Sequence, residues 1–304
     1  MSVENIGDLT AARVNHPEAI AAAAAARRPA ASPLGGDGTG GETGGGTGGR
    51  AMIIAADHPA RGANAVGGDA FAMADRGLLL ERLCLALERP GVTGVLATAD
   101  ILEDLLLLGV LDGKSVFGSM NRGGLAGSSF EIDDRFTGYD AETIEAMGFD
   151  GGKMLTRIAL EDPATAATLQ ASARAVDALA DRRLIAMVEP FLSRWEDGRV
   201  RNDLSPDAVV KSVSIASGLG RRSAYTWLKL PVVPEMERVV AATTLPVVLL
   251  GGDVGGADAQ RAAFDSWRKA LRLPGVQGLV MGRSLLYPAD GDVSGAVDRA
   301  VSLL

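Results

Sequence analysis

From about residue 50 onward, short apolar runs alternate with longer stretches whose apolar positions recur at helical spacing. The runs are Met52–Ala56, Gly94–Thr98, Ser115–Ser119, Gly152–Thr156, Leu184–Glu189, Thr226–Leu230, Pro246–Leu250 and Gly278–Met281. Near-continuous apolarity over so few residues predicts strands covered on both faces, as in parallel sheets. Between them, Asp162-Pro163 and Ser205-Pro206 read as N-caps followed by first-turn prolines, and Gly218 or Gly220 closes the helix that begins at Ser205. Eight strands joined by segments long enough for helices predict an α/β fold, specifically a (β/α)8 TIM barrel with an N-terminal helical extension. An open doubly wound sheet is the alternative. It is weakened because no Gly-x-Gly-x-x-Gly fingerprint follows the first run.

Residues 35–49 are almost all glycine and threonine and cannot build a core, so the chain divides into an extension with linker (1–49) and a barrel (50–304). Within the extension, Asn15-His-Pro-Glu18 has the form of a helix start. The alanine run Ala19–Ala26 is not read as a signal peptide, because Arg27 and Arg28 follow it rather than precede it. At 304 residues and 47% hydrophobic, the chain can bury one large core. A net charge of −8 favours neither nucleic acid nor an anionic membrane, and no apolar stretch reaches membrane-spanning length. The single cysteine, Cys84, excludes an internal disulfide and fits the cytoplasm; it lies in a helix-like run and is expected to be a buried, inert thiol.

Only five of the 30 cationic side chains are lysines, and two of these, Lys153 and Lys229, sit inside apolar strand-like runs. Burial disfavours an ammonium and lowers its pKa, which is useful where a neutral amine must attack a carbonyl. In a barrel the active site lies at the C-terminal ends of the strands. The first run leads into Asp57-His58-Pro-Ala-Arg61, the fourth carries Lys153 with Arg157 further along, the fifth ends at Glu189 and the sixth carries Lys229. Alternate strand residues share a face, so Lys229 points with Trp227 and Tyr225, while Leu228 and Leu230 point to the helices. Asp57, Lys153, Glu189 and Lys229 are therefore expected to converge in the mouth. This is the set an aldol reaction needs: an amine nucleophile, a second cation that depresses its pKa, and carboxylates that move protons.

The last two runs lead into Gly251-Gly252 and Gly282-Arg283, where barrels often bind phosphate with backbone amides. His58 can donate to substrate oxygens or simply close the strand end. With only His16 and His58 in the chain, a zinc site built on several histidines is nearly excluded, and no Gly-x-Ser-x-Gly elbow supports a hydrolase. No metal and no cofactor is expected. Arg61, Arg122, Arg157 and Arg194 follow strand-like runs and are expected to offer a second anion site, although pairing with Asp133, Asp134 or Glu196 is the expected fate of at least two.

In the order Ala56-Asp-His58, Gly151-Gly-Lys153, Val-Glu189-Pro, Trp-Leu-Lys229-Leu-Pro, Gly251-Gly252 and Gly282-Arg283, the chain resembles class I (Schiff-base) aldolases of the deoxyribose-phosphate and tagatose-bisphosphate aldolase superfamily, from about Met52 to Leu286. The resemblance implies that Lys229 forms the imine, Lys153 supports it, Glu189 and Asp57 serve proton transfer and substrate orientation, and the glycines with Arg283 hold phosphate. It also implies a homo-oligomer. Archaeal-type fructose-bisphosphate aldolases commonly carry a tyrosine on strand five, where this chain has Glu189, so their proton-transfer scheme does not carry over. The wording of the motifs is most similar to a branch associated with inositol breakdown. That implies cleavage of 2-deoxy-5-keto-gluconate 6-phosphate to dihydroxyacetone phosphate and malonate semialdehyde. Deoxyribose-phosphate or fructose/tagatose-bisphosphate cleavage, an isomerase or epimerase, and a non-catalytic sugar-phosphate-binding barrel are the alternatives.

Overall fold

Each of the eight apolar runs forms a strand in the computed structural model, which describes residues 6–32, 49–121, 124–251 and 256–304. The strands are β1 (Ala51–Ala55), β2 (Gly94–Ala97), β3 (Ser115–Ser119), β4 (Gly151–Ile158), β5 (Ile185–Glu196), β6 (Arg199–Asn202), β7 (Thr226–Pro231), β8 (Val247–Leu250) and β9 (Val276–Met281). All but β6 pair in parallel in chain order, and β9 returns to pair with β1, so the sheet closes into a (β/α)8 barrel. The short, β-branched-rich runs can bury both faces only if helices cover the outside and side chains fill the inside.

Residue parity decides which is which. Ala51, Ile53, Ala55, Leu96, Phe117, Ile185, Met187, Val248 and Val280 pack together inside the barrel, with Trp227 against them. The alternate residues, such as Met52, Ile54, Leu228 and Leu230, join the larger core under the helices. Those helices are α3 (Arg76–Leu87), α4 (Ala99–Leu107), α5 (Ala141–Ala146), α6 (Ala164–Asp181), α7 (Pro206–Ser217), α8 (Met236–Ala241), α9 (Gly256–Ala270), α10 (Arg283–Leu286) and α11 (Val293–Val301), preceded in the extension by α1 (Ile6–Asn15) and α2 (Glu18–Ala26). Ser205 caps α7 as expected, accepting from Ala208 N at 3.3 Å, and Gly218 closes that helix. Asp162 instead stands two residues ahead of α6 and accepts from Ala164 N at 2.8 Å. Cys84 is only partly buried on α3, and burial pushes its thiol pKa up.

Two expectations are corrected. Asn15 ends α1 rather than starting a helix, and α2 begins at Glu18 behind Pro17 without a side-chain cap. The fifth strand continues past Glu189 to Glu196 and turns back as β6, so the sheet carries an antiparallel hairpin at its C-terminal rim. The extension packs onto the barrel: Arg13 pairs with Glu103 and Asp104 of α4, and Arg27 donates to the carbonyls of Lys114 and Gly148. All of the glycine-rich stretch except Gly49 lies outside the described residues. Among the described residues no helix is long and apolar enough to cross a membrane.

Candidate active site

Four strands bring Asp57, Lys153, Glu189 and Lys229 together at the C-terminal mouth. Asp57 follows β1, and Lys153, Glu189 and Lys229 share the inward parity of β4, β5 and β7. Lys153 lies third in β4 rather than at its end, level with Ser119 and Met187 on the neighbouring strands. Its Nζ reaches Asp57 Oδ2 at 2.8 Å and Glu189 Oε2 at 2.6 Å. Lys229 Nζ meets the other oxygen of the same carboxylate, Glu189 Oε1, at 2.9 Å. Ser119 Oγ donates to Asp57 Oδ2 at 3.3 Å. All four charged side chains are at least nine-tenths buried.

Burial and pairing act in opposite directions on these groups. Burial pulls the Lys229 pKa below the ordinary lysine value; Lys153 adds to this, and Glu189 opposes it without reversing it. Burial also acts to lower Lys153, but Asp57 and Glu189 on either side outweigh it and raise its pKa. For Glu189, burial alone would raise the pKa, yet Lys153 and Lys229 bring it down to about 2. The Asp57 carboxyl, desolvated but facing Lys153, falls well below the usual carboxylate range. The outcome is asymmetric: Lys153 is held as the cation, and Lys229 is the one of the two that gives up its proton more readily.

The quartet opens into a cavity of about 500 Å³. On its β8–β9 side lie Gly251, Gly282 and Arg283. A Cβ at Gly282 would stand 2.6 Å from the Ala55 carbonyl and 2.9 Å from His58 Cε1, and one at Gly251 would stand 2.5 Å from Met281 Sδ. Gly282 is therefore required for close approach to backbone, as in a phosphate cradle, whereas at Gly251 the close atoms are the ends of the Met281 and Ser284 side chains. Gly252 lies outside the described residues. Arg283 donates to the Ala65 carbonyl at 3.2 Å, tying this side to the loop after β1. His58 stands beside Gly282 with its pKa brought down to about 4, chiefly by burial, and is therefore neutral at neutral pH.

The arginines are less available than their number suggests. Arg157 is buried and donates to Asp134 Oδ2 and Glu131 Oε1, both at 2.9 Å, and to the Gly124 and Glu131 carbonyls. Arg61 donates to Asp134 Oδ1 at 3.0 Å and to the Gly124 and Asn121 carbonyls. Arg194 pairs with Glu196 and Asp203 on the hairpin, away from the quartet, and Arg122 lies outside the described residues. Pairing with a carboxylate, expected of at least two of these arginines, is found for Arg61, Arg157 and Arg194. Arg61 and Arg157 do line the cavity, but Glu131 and Asp134 balance their charge, and their main structural effect is to hold residues 124–134 over the mouth.

Sequence reasoning missed several groups around the site. Ser119 closes the third run and was accessible by the same strand-end rule. Phe191, Asn202 and Leu204 come from the hairpin, whose signal was Asp197-Gly198: both take positive φ (50° and 73°), as a two-residue hairpin turn needs. Glu131 lies in a loop without periodicity, and no local pattern marks it; Asp134, in the same loop, is one of the arginine partners expected from the sequence. Among the described residues, no group of three or more His, Cys, Asp or Glu side chains is placed to hold a metal ion.

Comparison with known proteins agrees with this architecture. The profile of the Cgl0159-like family matches residues 49–301. Cgl0159 from Corynebacterium glutamicum (Brevibacterium flavum), whose crystal structure is known, is 53% identical over 100% of this chain and 97% of its own, with a TM-score of 0.92. An archaeal fructose 1,6-bisphosphate aldolase is 17% identical over 84% of this chain and 93% of its own, with a TM-score of 0.60. A Schiff-base-forming fructose-1,6-bisphosphate aldolase gives 18%, 84%, 94% and 0.59 in the same terms. At such identities these aldolases share the fold. No curated protein matches the chain. The chain belongs to the Cgl0159-like family.

Proposed function

We propose that this Cgl0159-like protein is a class I aldolase that cleaves a phosphorylated keto sugar or sugar acid through a Schiff base on Lys229. The observation that carries this reading is the buried lysine pair bridged by the two oxygens of Glu189, with Asp57 fixing the second lysine as the cation. Lysines with opposed pKa shifts on one carboxylate separate the roles of nucleophile and electrostatic support. Neutral Lys229 Nζ adds to the ketone carbon, and loss of water gives an iminium. Proton removal from the hydroxyl on the β-carbon then lets the carbon–carbon bond break, its electrons passing into the iminium to leave an enamine. Protonation of the enamine carbon and hydrolysis release the second product and restore Lys229. Glu189 is the group positioned to move the proton at the cleaved bond. Asp57 orients a hydroxyl or shares that task, Lys153 contacts substrate oxygens, and His58 donates a neutral hydrogen bond.

Phosphate is assigned to Gly251, Gly252, Gly282 and Arg283, supported by the cradle-like approach at Gly282. The specific substrate proposed is 2-deoxy-5-keto-gluconate 6-phosphate, giving dihydroxyacetone phosphate and malonate semialdehyde; it is supported by motif resemblance. Arg61 and Arg157 would meet its carboxylate only in competition with Glu131 and Asp134. Fructose 1,6-bisphosphate and deoxyribose 5-phosphate are the comparison compounds. Cleavage of all three, with borohydride trapping, tests the reading: a ligand-dependent adduct is expected, whereas an isomerase or a silent binding barrel gives none. The single cysteine and the family resemblance support a cytoplasmic homo-oligomer, which sedimentation equilibrium tests for its assembly.

A further inference from the structure

Beyond Leu192, β5 leaves the parallel pairing of the barrel and turns back as β6, and Phe191, Asn202 and Leu204 in and beside this hairpin line the catalytic cavity. Phe191 is buried and has the same inward parity as Glu189, two residues nearer the mouth, a step of about 7 Å at strand rise. Ser193 follows on the same face, and its Cα is paired with that of Asn202 on β6. Ser193 Oγ donates to Asn202 Oδ1 at 2.9 Å. That bond fixes which end of the amide is engaged. It leaves the Nδ2 donors of Asn202, an exposed residue at the rim of the cavity, without a protein partner among the described residues. Leu204 lies just beyond, half-exposed, and its apolar side chain has little reason to sit at a polar mouth unless something packs on it.

Asn202 lies about four strand residues above Glu189, on the order of 13 Å along β5, so it cannot reach atoms reacting at Lys229. A three-carbon keto phosphate held at the β8–β9 cradle and Lys229 ends well short of it. We propose that the β5–β6 hairpin is a specificity subsite, in which Asn202 donates its amide to an acceptor oxygen at the far end of a substrate that continues past the cleaved bond, while Phe191 and Leu204 cover its carbon chain. This rests on the assignment of Lys229 as the imine-forming residue. The ligand class is an extended keto-sugar or sugar-acid phosphate with a carbonyl, hydroxyl or carboxylate oxygen at its distal end.

The test compares Asn202→Leu and Asn202→Asp with the unaltered protein. Asn202→Asp keeps the acceptor that Ser193 uses and removes the donors. Borohydride trapping of dihydroxyacetone phosphate reads the chemistry alone, and the KM for cleavage of 2-deoxy-5-keto-gluconate 6-phosphate or fructose 1,6-bisphosphate reads the subsite. Both variants are expected to trap dihydroxyacetone phosphate within twofold of the unaltered rate. Both should raise the KM for cleavage at least tenfold, and Asn202→Asp should lose more than Asn202→Leu because it adds repulsion toward an anionic end. An unchanged KM, equal losses of trapping and of kcat/KM, or an unaltered protein that cleaves neither compound would each overturn the inference. If dihydroxyacetone phosphate does not trap at all, the Schiff-base reading falls. The subsite is then still judged by whether the variants abolish the rise in melting temperature that the six-carbon compounds produce.

Discussion

Replacing Lys153 by methionine is the perturbation that separates the two lysines most clearly. The Nζ atoms of Lys153 and Lys229 bind different oxygens of Glu189 at 2.6 and 2.9 Å, and both side chains are nearly inaccessible. Two nitrogens on one carboxylate stand within about 8 Å, where like charges at an effective dielectric of about 20 repel by about 2 kcal/mol. Methionine removes that repulsion and leaves Glu189 to Lys229 alone, so both changes favour the Lys229 ammonium. About 2 kcal/mol corresponds to about 1.5 pKa units, or about a thirtyfold smaller neutral fraction of Lys229 at neutral pH. The assay is the rate of cyanoborohydride trapping of dihydroxyacetone phosphate as a function of pH, which avoids any dependence on later steps. The rising limb of that profile should move to higher pH by one to two units, with the plateau above it largely retained. A limb that stays in place, or moves to lower pH, would refute the assignment of Lys153 as the cation that keeps Lys229 neutral.

Lys229→Met should raise rather than lower thermal stability near neutral pH. The folded-state pKa of Lys229 lies below its unfolded value, so burying this lysine costs stability while the unfolded chain holds the proton; calorimetry should show the difference from the unaltered protein shrinking as pH approaches about 10.4. Asp134→Asn should be strongly destabilising, by about 3–5 kcal/mol in urea unfolding, because it leaves the buried Arg157 and the partly buried Arg61 without the carboxylate they share. Turnover should survive exhaustive chelation, since Lys153 already occupies the position between Asp57 and Glu189 that a cation would need; activity lost in EDTA and restored by one divalent metal would contradict this.

Much of the barrel was legible because its strands are short, apolar and buried on both faces, and inward parity followed from the period of two. The same parity placed Lys153, Glu189 and Lys229 on one side of the wall before any contact was known. What the sequence hid is what depends on long-range pairing. Asp134 is among the partners expected for the arginines, but nothing in the sequence shows that it takes Arg157, or that Glu131 joins it from more than twenty residues earlier across a loop with no periodic pattern. The hairpin was hidden differently. Residues 190–202 alternate polar and apolar positions only weakly, so the continuation of β5 looked like a loop, although the Asp197-Gly198 turn was there to read. Asn15 shows the limit of capping patterns: a cap-like residue followed by proline and glutamate marks a break between two helices as readily as a beginning.

The central claim is that Lys229, and not Lys153, carries the covalent intermediate. Borohydride reduction in the presence of 2-deoxy-5-keto-gluconate 6-phosphate, fructose 1,6-bisphosphate or dihydroxyacetone phosphate, followed by peptide mass spectrometry, tests it directly. The account predicts a reduced adduct on the peptide containing Lys229, dependent on ligand and absent in Lys229→Met. An adduct on Lys153 with Lys229 unmodified would reverse the roles of the two lysines, and no adduct with any of the three compounds would contradict the Schiff-base mechanism itself.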